Sequence, residues 1–358
     1  MRFNTGTQRM LAMAMVVGQV LQAVLGAVIP PVLEKGAIAT MSKRIVNGFY
    51  MPRALAPYAV YLVFRFGEGG ERVCGGSVIS PDYVLTAGHC VVINGEYFPP
   101  ANVTVYYGNE EVGSQTAATT LQVTGHPDFL VNGQMNLDYD LAVIKIKTIT
   151  LTAGSDSESE SESSISSSDS TSTTSSSTRS VNVGRVPIYA GEIDAGQNLM
   201  AMGWGITQTG SLASVLQGAV VTTGDLATCR SKNSYFSSHN GPQLCTLTKL
   251  TPGMATCVGD SGTSVVISQG STQYLAGTVS FSIIPSGETC ASNNGVRYFA
   301  HPFYFIDFIA SATKLSVSYL TAGAASVSSG KMVVDIMEGG SSAVTVTKTV
   351  YNTPTFSY

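Results

Sequence analysis

Hydrophobic and polar positions alternate along most of this chain in short runs set apart by turn residues, the pattern of antiparallel strands packed on one face. Tyr58 to Phe66 and Val73 to Ile79 form the first pair of runs, and Ser80-Pro81-Asp82 punctuates them as a turn. Tyr83 to Leu85, Val103 to Tyr107 and Leu141 to Ile146 continue the series. After a long polar interruption it resumes between Gly196 and Gly203, at Thr263 to Ile267 and at Leu275 to Ser282. Only near the end does the spacing turn helical: Pro302 precedes the apolar Phe303 to Ala310, which predicts a short helix with proline in its first turn. Such a series over 358 residues predicts an all-β chain of two barrels or a sandwich. Abundant valine, threonine and tyrosine and only 12% charged residues agree with that reading.

Three stretches break the pattern. Arg2 and Arg9 precede an apolar run from Met10 to Val28, which predicts a secretory signal peptide over 1–27 and a propeptide over 28–44; an uncleaved membrane anchor is the competing reading. Ser155 to Ser180 is almost wholly serine, threonine and acid, too poor in apolar groups to fold, and predicts a disordered insertion. It also accounts for the net charge of −4, since it holds five acids and one base and leaves 18 of each elsewhere. With no basic stripe, the chain is not expected to bind nucleic acid. Residues 313–358 are rich in serine, threonine, glycine and valine and predict a flexible tail with no membrane anchor.

Six cysteines, Cys74, Cys90, Cys229, Cys245, Cys257 and Cys290, include no C-x-x-C pair, so a zinc site is not expected. Three disulfides in an oxidising compartment is the economical reading, and local pairing is one of fifteen connectivities. Asn102-Val103-Thr104 is a glycosylation sequon. His126 reads as a turn residue and His239 as an exposed loop residue; the four histidines lack ligand-like spacing, and neither a metal nor a cofactor is expected.

The candidate chemistry lies in Cys257-Val258-Gly259-Asp260-Ser261-Gly262. Glycines around a serine let the main chain approach a substrate carbonyl and turn amide N–H groups toward it. The hydroxyl becomes a nucleophile only with a histidine to take its proton and a carboxylate to orient that histidine. His89, held beside Cys90, suits the base, and Asp140 or Asp138, at the mouth of an apolar strand, suits the acid. Upstream, Lys43-Arg44 is a dibasic processing site directly before Ile45, and cleavage there would create an apolar amino terminus.

T-A-G-H-C around His89, D-L-A-V-I-K-I from Asp140, G-W-G at Gly203 to Gly205, G-D-S-G around Ser261 and I-V-N-G at Ile45 together resemble the chymotrypsin/trypsin-like serine endopeptidases, in that family's order. The resemblance spans roughly Ile45 to Ala310 and implies a protease domain over 45–312. It also implies two six-stranded antiparallel β-barrels with the active site in the cleft between them, and a C-terminal helix, read here as docking on the second barrel. The implied roles are His89 as general base, Asp140 as its orienting acid, Ser261 as nucleophile, and the amides of Gly259 and Ser261 as oxyanion hole. Asp260 would receive the new ammonium of Ile45 after cleavage at Arg44, making the chain a zymogen. Local pairing, Cys74 with Cys90, Cys229 with Cys245 and Cys257 with Cys290, is what such proteins use.

The resemblance also marks out the primary substrate pocket: Ala255 at its base, Thr256 beside it, Gly295 in its wall and Ser280-Phe281-Ser282 along its edge. With no acid at Ala255, an arginine or lysine side chain would be desolvated without a partner, so an apolar or aromatic residue before the scissile bond is expected. Thr263 and Ser264 depart from the glycine and proline common in the family. The expected protein is a secreted, monomeric endopeptidase whose partners are polypeptide substrates and an activating protease, with the membrane as partner only if the leader stays uncleaved. A non-catalytic homologue serving as a binding or adhesion module is the alternative from another class.

Overall fold

The computed structural model describes residues 48–67, 69–152 and 183–322, together with the antiparallel pair Asp335–Glu338 and Ser342–Thr345. The leader, propeptide, Arg44, Ile45 and the Ser155 to Ser180 insertion fall outside these residues. Among the described residues no helix is long and apolar enough to cross a membrane.

The first barrel comprises β1 (Ala59–Phe66), β2 (Gly70–Ser80), β3 (Tyr83–Thr86), β4 (Val103–Tyr107), β5 (Thr116–Gly125) and β6 (Ala142–Ile146). They close in the order β6-β3-β2-β1-β4-β5, all neighbours antiparallel. Closure leaves no strand edge unpaired. Pairing of Ala142 with Thr86 brings the start of β6 and the end of β3 to one rim, which later proves to hold Asp140 and His89.

The second barrel comprises β7 (Asn198–Gly203), β8 (Gln217–Thr222), β9 (Gln243–Leu247), β10 (Ser264–Gln269), β11 (Thr272–Ile283) and β12 (Val296–Ala300). Its order is β8-β7-β10-β11-β12-β9, with the short strand Phe49–Tyr50 added outside β8. The expected two-barrel architecture is present, but this sheet meets itself through a single bridge, Thr223 to Thr246, rather than a full ladder. Leu199, Ala201, Val221, Leu244, Val265 and Phe299 fill its interior.

All three disulfides pair locally, Cys74–Cys90, Cys229–Cys245 and Cys257–Cys290. Trp204 is buried against the ring of Tyr61, 5.7 Å between centroids, and donates from Nε1 to the Glu110 carbonyl at 2.8 Å. One tryptophan thereby ties the second barrel to β1 of the first.

Two helices differ from expectation. α1 (Leu226–Lys232) is capped by the Asp225 carboxylate, which accepts from the Thr228 amide at 2.7 Å. The terminal helix α2 runs Ile306–Thr313 and starts later than Phe303, because residues 301–306 form three successive tight turns instead. α2 docks on the first barrel's side, not the second. His126, in the loop after β5, stacks on Tyr139 with centroids 4.9 Å apart and packs against Phe305 and Phe308. Order continues past the expected boundary at 312/313: α3 (Val317–Thr321) buries Leu320, and Arg185 lies over the Tyr319 ring at 4.4 Å.

Candidate active site

The serine turn is seated on the first barrel by backbone contacts. The Gly75 amide in β2 donates to the Ser261 carbonyl at 2.8 Å, and the Thr86 hydroxyl donates to the Gly75 carbonyl at 2.8 Å. Further along, Ser77 of β2 and Ser264 at the start of β10 bring their hydroxyls to 2.6 Å. The glycines of G-D-S-G both need their missing side chains, with φ of +94° at Gly259 and +77° at Gly262. A Cβ on Gly262 would also stand 2.2 Å from Thr86 Oγ1. The turn itself closes through Asp260 N–H to Cys257 O and Gly262 N–H to Val279 O. Among the described residues the amides of Gly259 and Ser261 have no acceptor, which leaves two donors free beside a half-buried serine.

His89 sits in the short 3₁₀ turn Gly88–Val91, fixed by the Cys74–Cys90 disulfide on one side. Gly88 lacks a side chain because the Phe129 ring occupies that space, 2.9 Å from where a Cβ would be. Of the two candidate acids, Asp140 is the one that meets the histidine. Its Oδ1 accepts from the His89 amide at 2.7 Å, and its Oδ2 from the His89 Nδ1–H at 2.8 Å. Ser280, read from sequence as a pocket-edge residue, donates its hydroxyl to the same Oδ2. Asp138 instead accepts from Gln243 Nε2 at 3.0 Å.

These contacts set the charges. Burial alone would raise the Asp140 carboxyl, but the adjacent His89 charge and hydrogen bonds from His89 and Ser280 outweigh it and hold Asp140 below its ordinary value. Burial likewise disfavours the His89 imidazolium, yet Asp140 overcomes this and raises His89 above 6.5. An Nδ1 proton committed to Asp140 leaves the Nε2 lone pair as the basic site. The cluster Cys74, His89 and Cys90 has metal-like spacing, but its sulfurs are joined in a disulfide and offer no thiolate.

Asp260 is fully buried behind the serine. Its Oδ1 accepts from Gly205 N–H and its Oδ2 from Cys257 N–H, both at 2.8 Å. Burial nevertheless pushes its pKa up to about 6. G-W-G is legible in this light: a Cβ on Gly203 or Gly205 would come within 2.2 or 2.5 Å of the Asp260 carboxyl group, so both glycines make room for it. Thr263, without an account from sequence, donates its hydroxyl to the Asp260 carbonyl at 2.7 Å while its methyl fills the space at Gly75.

Of the residues expected to form the substrate pocket, Ala255 and Thr256 are buried and Phe281 stacks on Tyr298 with centroids 4.8 Å apart. A groove of about 690 Å³ extends from Phe281 past Leu137 and Asp138 to Met135, Asn233 and Tyr235. Sequence reasoning missed Arg297, a buried side chain of β12 that donates to the Thr256 and Cys290 carbonyls and whose only signal was a charged residue inside an otherwise apolar strand. It also misplaced His239, which is buried: Nε2–H donates to Gly224 O at 2.8 Å and Nδ1 accepts from the Cys245 amide. His126 is a turn residue as expected, accepting from the Asp128 amide at 3.2 Å. The sequon residue Asn102 spends its Nδ2 on the Arg65 carbonyl at 2.8 Å.

Two antiparallel barrels, a buried Asp–His pair on one and a glycine-framed serine turn from the other resting against it define a serine protease. Comparison with known sequences agrees, for the model of the Trypsin family matches residues 45–309 and the chain belongs to that family. Chymotrypsin-2 of Vespa crabro is 28% identical over 269 residues, covering 74% of this chain and 98% of its own. Trypsin-1 of Astacus astacus is 26% identical over 263 residues, 72% of this chain and 93% of its own. Chymotrypsin-like elastase family member 1 of Canis lupus familiaris is 25% identical over 247 residues, 66% of this chain and 81% of its own. The protein is a serine endopeptidase.

Proposed function

We propose that the chain is a secreted zymogen whose protease domain, freed by cleavage after Arg44, hydrolyses peptide bonds through an acyl-enzyme on Ser261. The observation that carries this is the His89–Asp140 pair, held by three hydrogen bonds to one buried carboxylate at the rim where the Ser261 turn is seated. Ser261 Oγ attacks the substrate carbonyl carbon while His89 Nε2 takes the hydroxyl proton. The amides of Gly259 and Ser261 receive the oxyanion, a contribution of about 3 kcal/mol per donor in such sites. Collapse returns the proton from His89 to the leaving amine, and water repeats the sequence on the ester to release the acid product.

Activation follows from Asp260. Among the described residues this buried carboxylate is bonded to two amides and to no cation, a poor resting place for charge, and the new ammonium of Ile45 would neutralise it. That pairing would order the segment from Cys257 to Ser261 and with it the oxyanion hole. Three disulfides support secretion. Ala255 at the pocket base supports exclusion of basic side chains, so the enzyme would not cut after its own Arg44 and depends on another protease.

The test is to cleave the purified chain after Arg44, add a fluorophosphonate and map the adduct. Labelling of Ser261 alone, absent from uncleaved chain and from Ser261→Ala, is expected. No labelling after cleavage overturns the catalytic reading, and equal labelling before cleavage overturns the zymogen reading.

A further inference from the structure

Asp138, the acid of Asp138-Tyr139-Asp140 that His89 does not use, lines the open groove of about 690 Å³ beside Phe281. The groove is tied to the His89–Asp140 pair from two sides. Asp138 lies in the 3₁₀ turn Leu137–Tyr139, which runs directly into Asp140. Phe281 directly follows Ser280, whose hydroxyl donates to the Asp140 carboxylate. An extended chain advances about 3.3 Å per residue, so a peptide held at this pair meets the groove within a few residues of its reacting bond.

The lining divides by chemistry. Met135, Leu137, Tyr235 and Phe281 contribute carbon, the first three of them exposed, and the Phe281 ring is fixed by its stacking on Tyr298. Asp138 is the one charged residue among the described lining residues. Its Oδ1 accepts from Nε2 of the buried Gln243 at 3.0 Å, and Gln243 is held in turn by Asn233, whose Nδ2 donates to its Oε1 at 3.0 Å. Among the described residues no cationic side chain pairs with Asp138. Partial desolvation raises its pKa above the ordinary carboxylate value, the mark of a charge that has lost water and gained only a neutral amide. A cation would repair that loss, and a side chain with a carbon stem and a charged end matches a lining of carbon around a single acid.

We propose that Asp138 is a specificity-determining residue of this endopeptidase, receiving the charged end of a lysine or arginine side chain that the substrate carries a few residues from the scissile bond. The stem of that side chain lies along Met135, Leu137 and the Tyr235 and Phe281 rings. The inference rests on the endopeptidase reading above. It leaves the apolar preference at the residue before the scissile bond in place, because the two side chains enter different parts of the surface.

The experiment uses full-length chain cleaved after Arg44 and peptides blocked at both ends, with Phe before the scissile bond and either lysine or the uncharged norleucine at one further position after another on both sides. At one position lysine is expected to exceed norleucine in kcat/KM by about fivefold, the upper range of a partly exposed ion pair, and added salt should shrink that ratio. Asp138→Asn, which can still accept from Gln243, should bring the ratio to one, and Asp138→Glu should preserve part of it. The diagnostic is the ratio within each variant, which a loss of folded enzyme does not move. A native ratio of one at every position, or a ratio unmoved by Asp138→Asn, overturns the proposal while leaving the peptidase intact. Should Asp138→Asn not fold, the salt series on the native chain decides, and a lysine advantage that salt does not change ends the proposal. If no peptide is cut and Ser261 resists labelling, the peptidase reading has failed instead. Calorimetric titration with the same peptides then decides, tighter binding of a lysine peptide sustaining the role of Asp138 and equal binding ending it.

Discussion

The Cγ2 methyl of Thr263 lies 2.1 Å from the point a Cβ on Gly75 would occupy, so the threonine behind the nucleophile and the glycine of β2 fill one space between them. The same seam carries the Gly75 amide bond to the Ser261 carbonyl and the Ser77–Ser264 hydroxyl contact, and it fixes the position of the serine turn. Gly75→Ala should therefore cost about 1–3 kcal/mol of stability through overpacking. Gly75→Ala combined with Thr263→Gly should recover part of that loss, as coupled neighbours do. Urea unfolding of the single and double variants measures the coupling, and strictly additive losses would contradict it.

The buried Asp260 carboxyl makes folding stability depend on pH. Its pKa rises from 3.8 to about 6 on folding, so its contribution is fully present below about pH 4 and is lost as pH climbs through about 6. A shift of that size corresponds to something on the order of 3 kcal/mol. The uncleaved chain should thus unfold more easily at pH 7.5 than at pH 4.5 by more than Asp260→Asn does under the same comparison. Cleavage after Arg44 should erase the difference by supplying the Ile45 ammonium, whose own titration, normally near 8 and raised by pairing, should end activity only in distinctly alkaline solution.

In the proposed mechanism His89 must be neutral at Nε2 to accept the Ser261 proton, and Asp140 raises its pKa above 6.5. The acid limb of kcat/KM should accordingly have its midpoint above 6.5. Asp140→Asn removes the charge and should move that midpoint down, with a fall in kcat of about four decades as known for this family's triad. A pH profile of the cleaved enzyme and of the variant checks both. A midpoint that does not move would separate Asp140 from the histidine's titration.

The ends of the polar insertion are already joined. Thr152 N–H donates to the Val183 carbonyl at 2.7 Å, and the Val183 amide returns a bond to Thr152 Oγ1 at 2.9 Å. Deleting Ser155 to Ser180 shortens a loop whose closure is made by these bonds. Closure entropy changes slowly with length, so the deletion should alter stability by no more than about 2 kcal/mol and leave activity in place. Thermal unfolding and peptide hydrolysis of the deletion chain are the readouts, and failure to fold would assign the tract a structural part.

What the sequence determined by itself is local. Alternation along a strand, a glycine-framed serine, a histidine beside a half-cystine and an acid opening β6 are each written within a few residues, so the strands, the triad candidates and the all-β class were legible. Spacing alone left the cysteines open among fifteen connectivities; the resemblance implied the local pairing, and the structure shows it between partners 16 or 33 positions apart. The tertiary structure alone decided what distant backbone brings to a side chain. Ser280 meets Asp140 across 140 positions, His239 is buried because Gly224 and Cys245 supply both ring nitrogens with partners, and Arg297 is caged by carbonyls 7 and 41 positions away. Docking of α2 on the first barrel's side belongs with these, since the rings that receive it lie far back in the chain. The physical reason is common to all four: a polar or aromatic group declares only what it needs, and burial is permitted or refused by partners that sequence separation conceals.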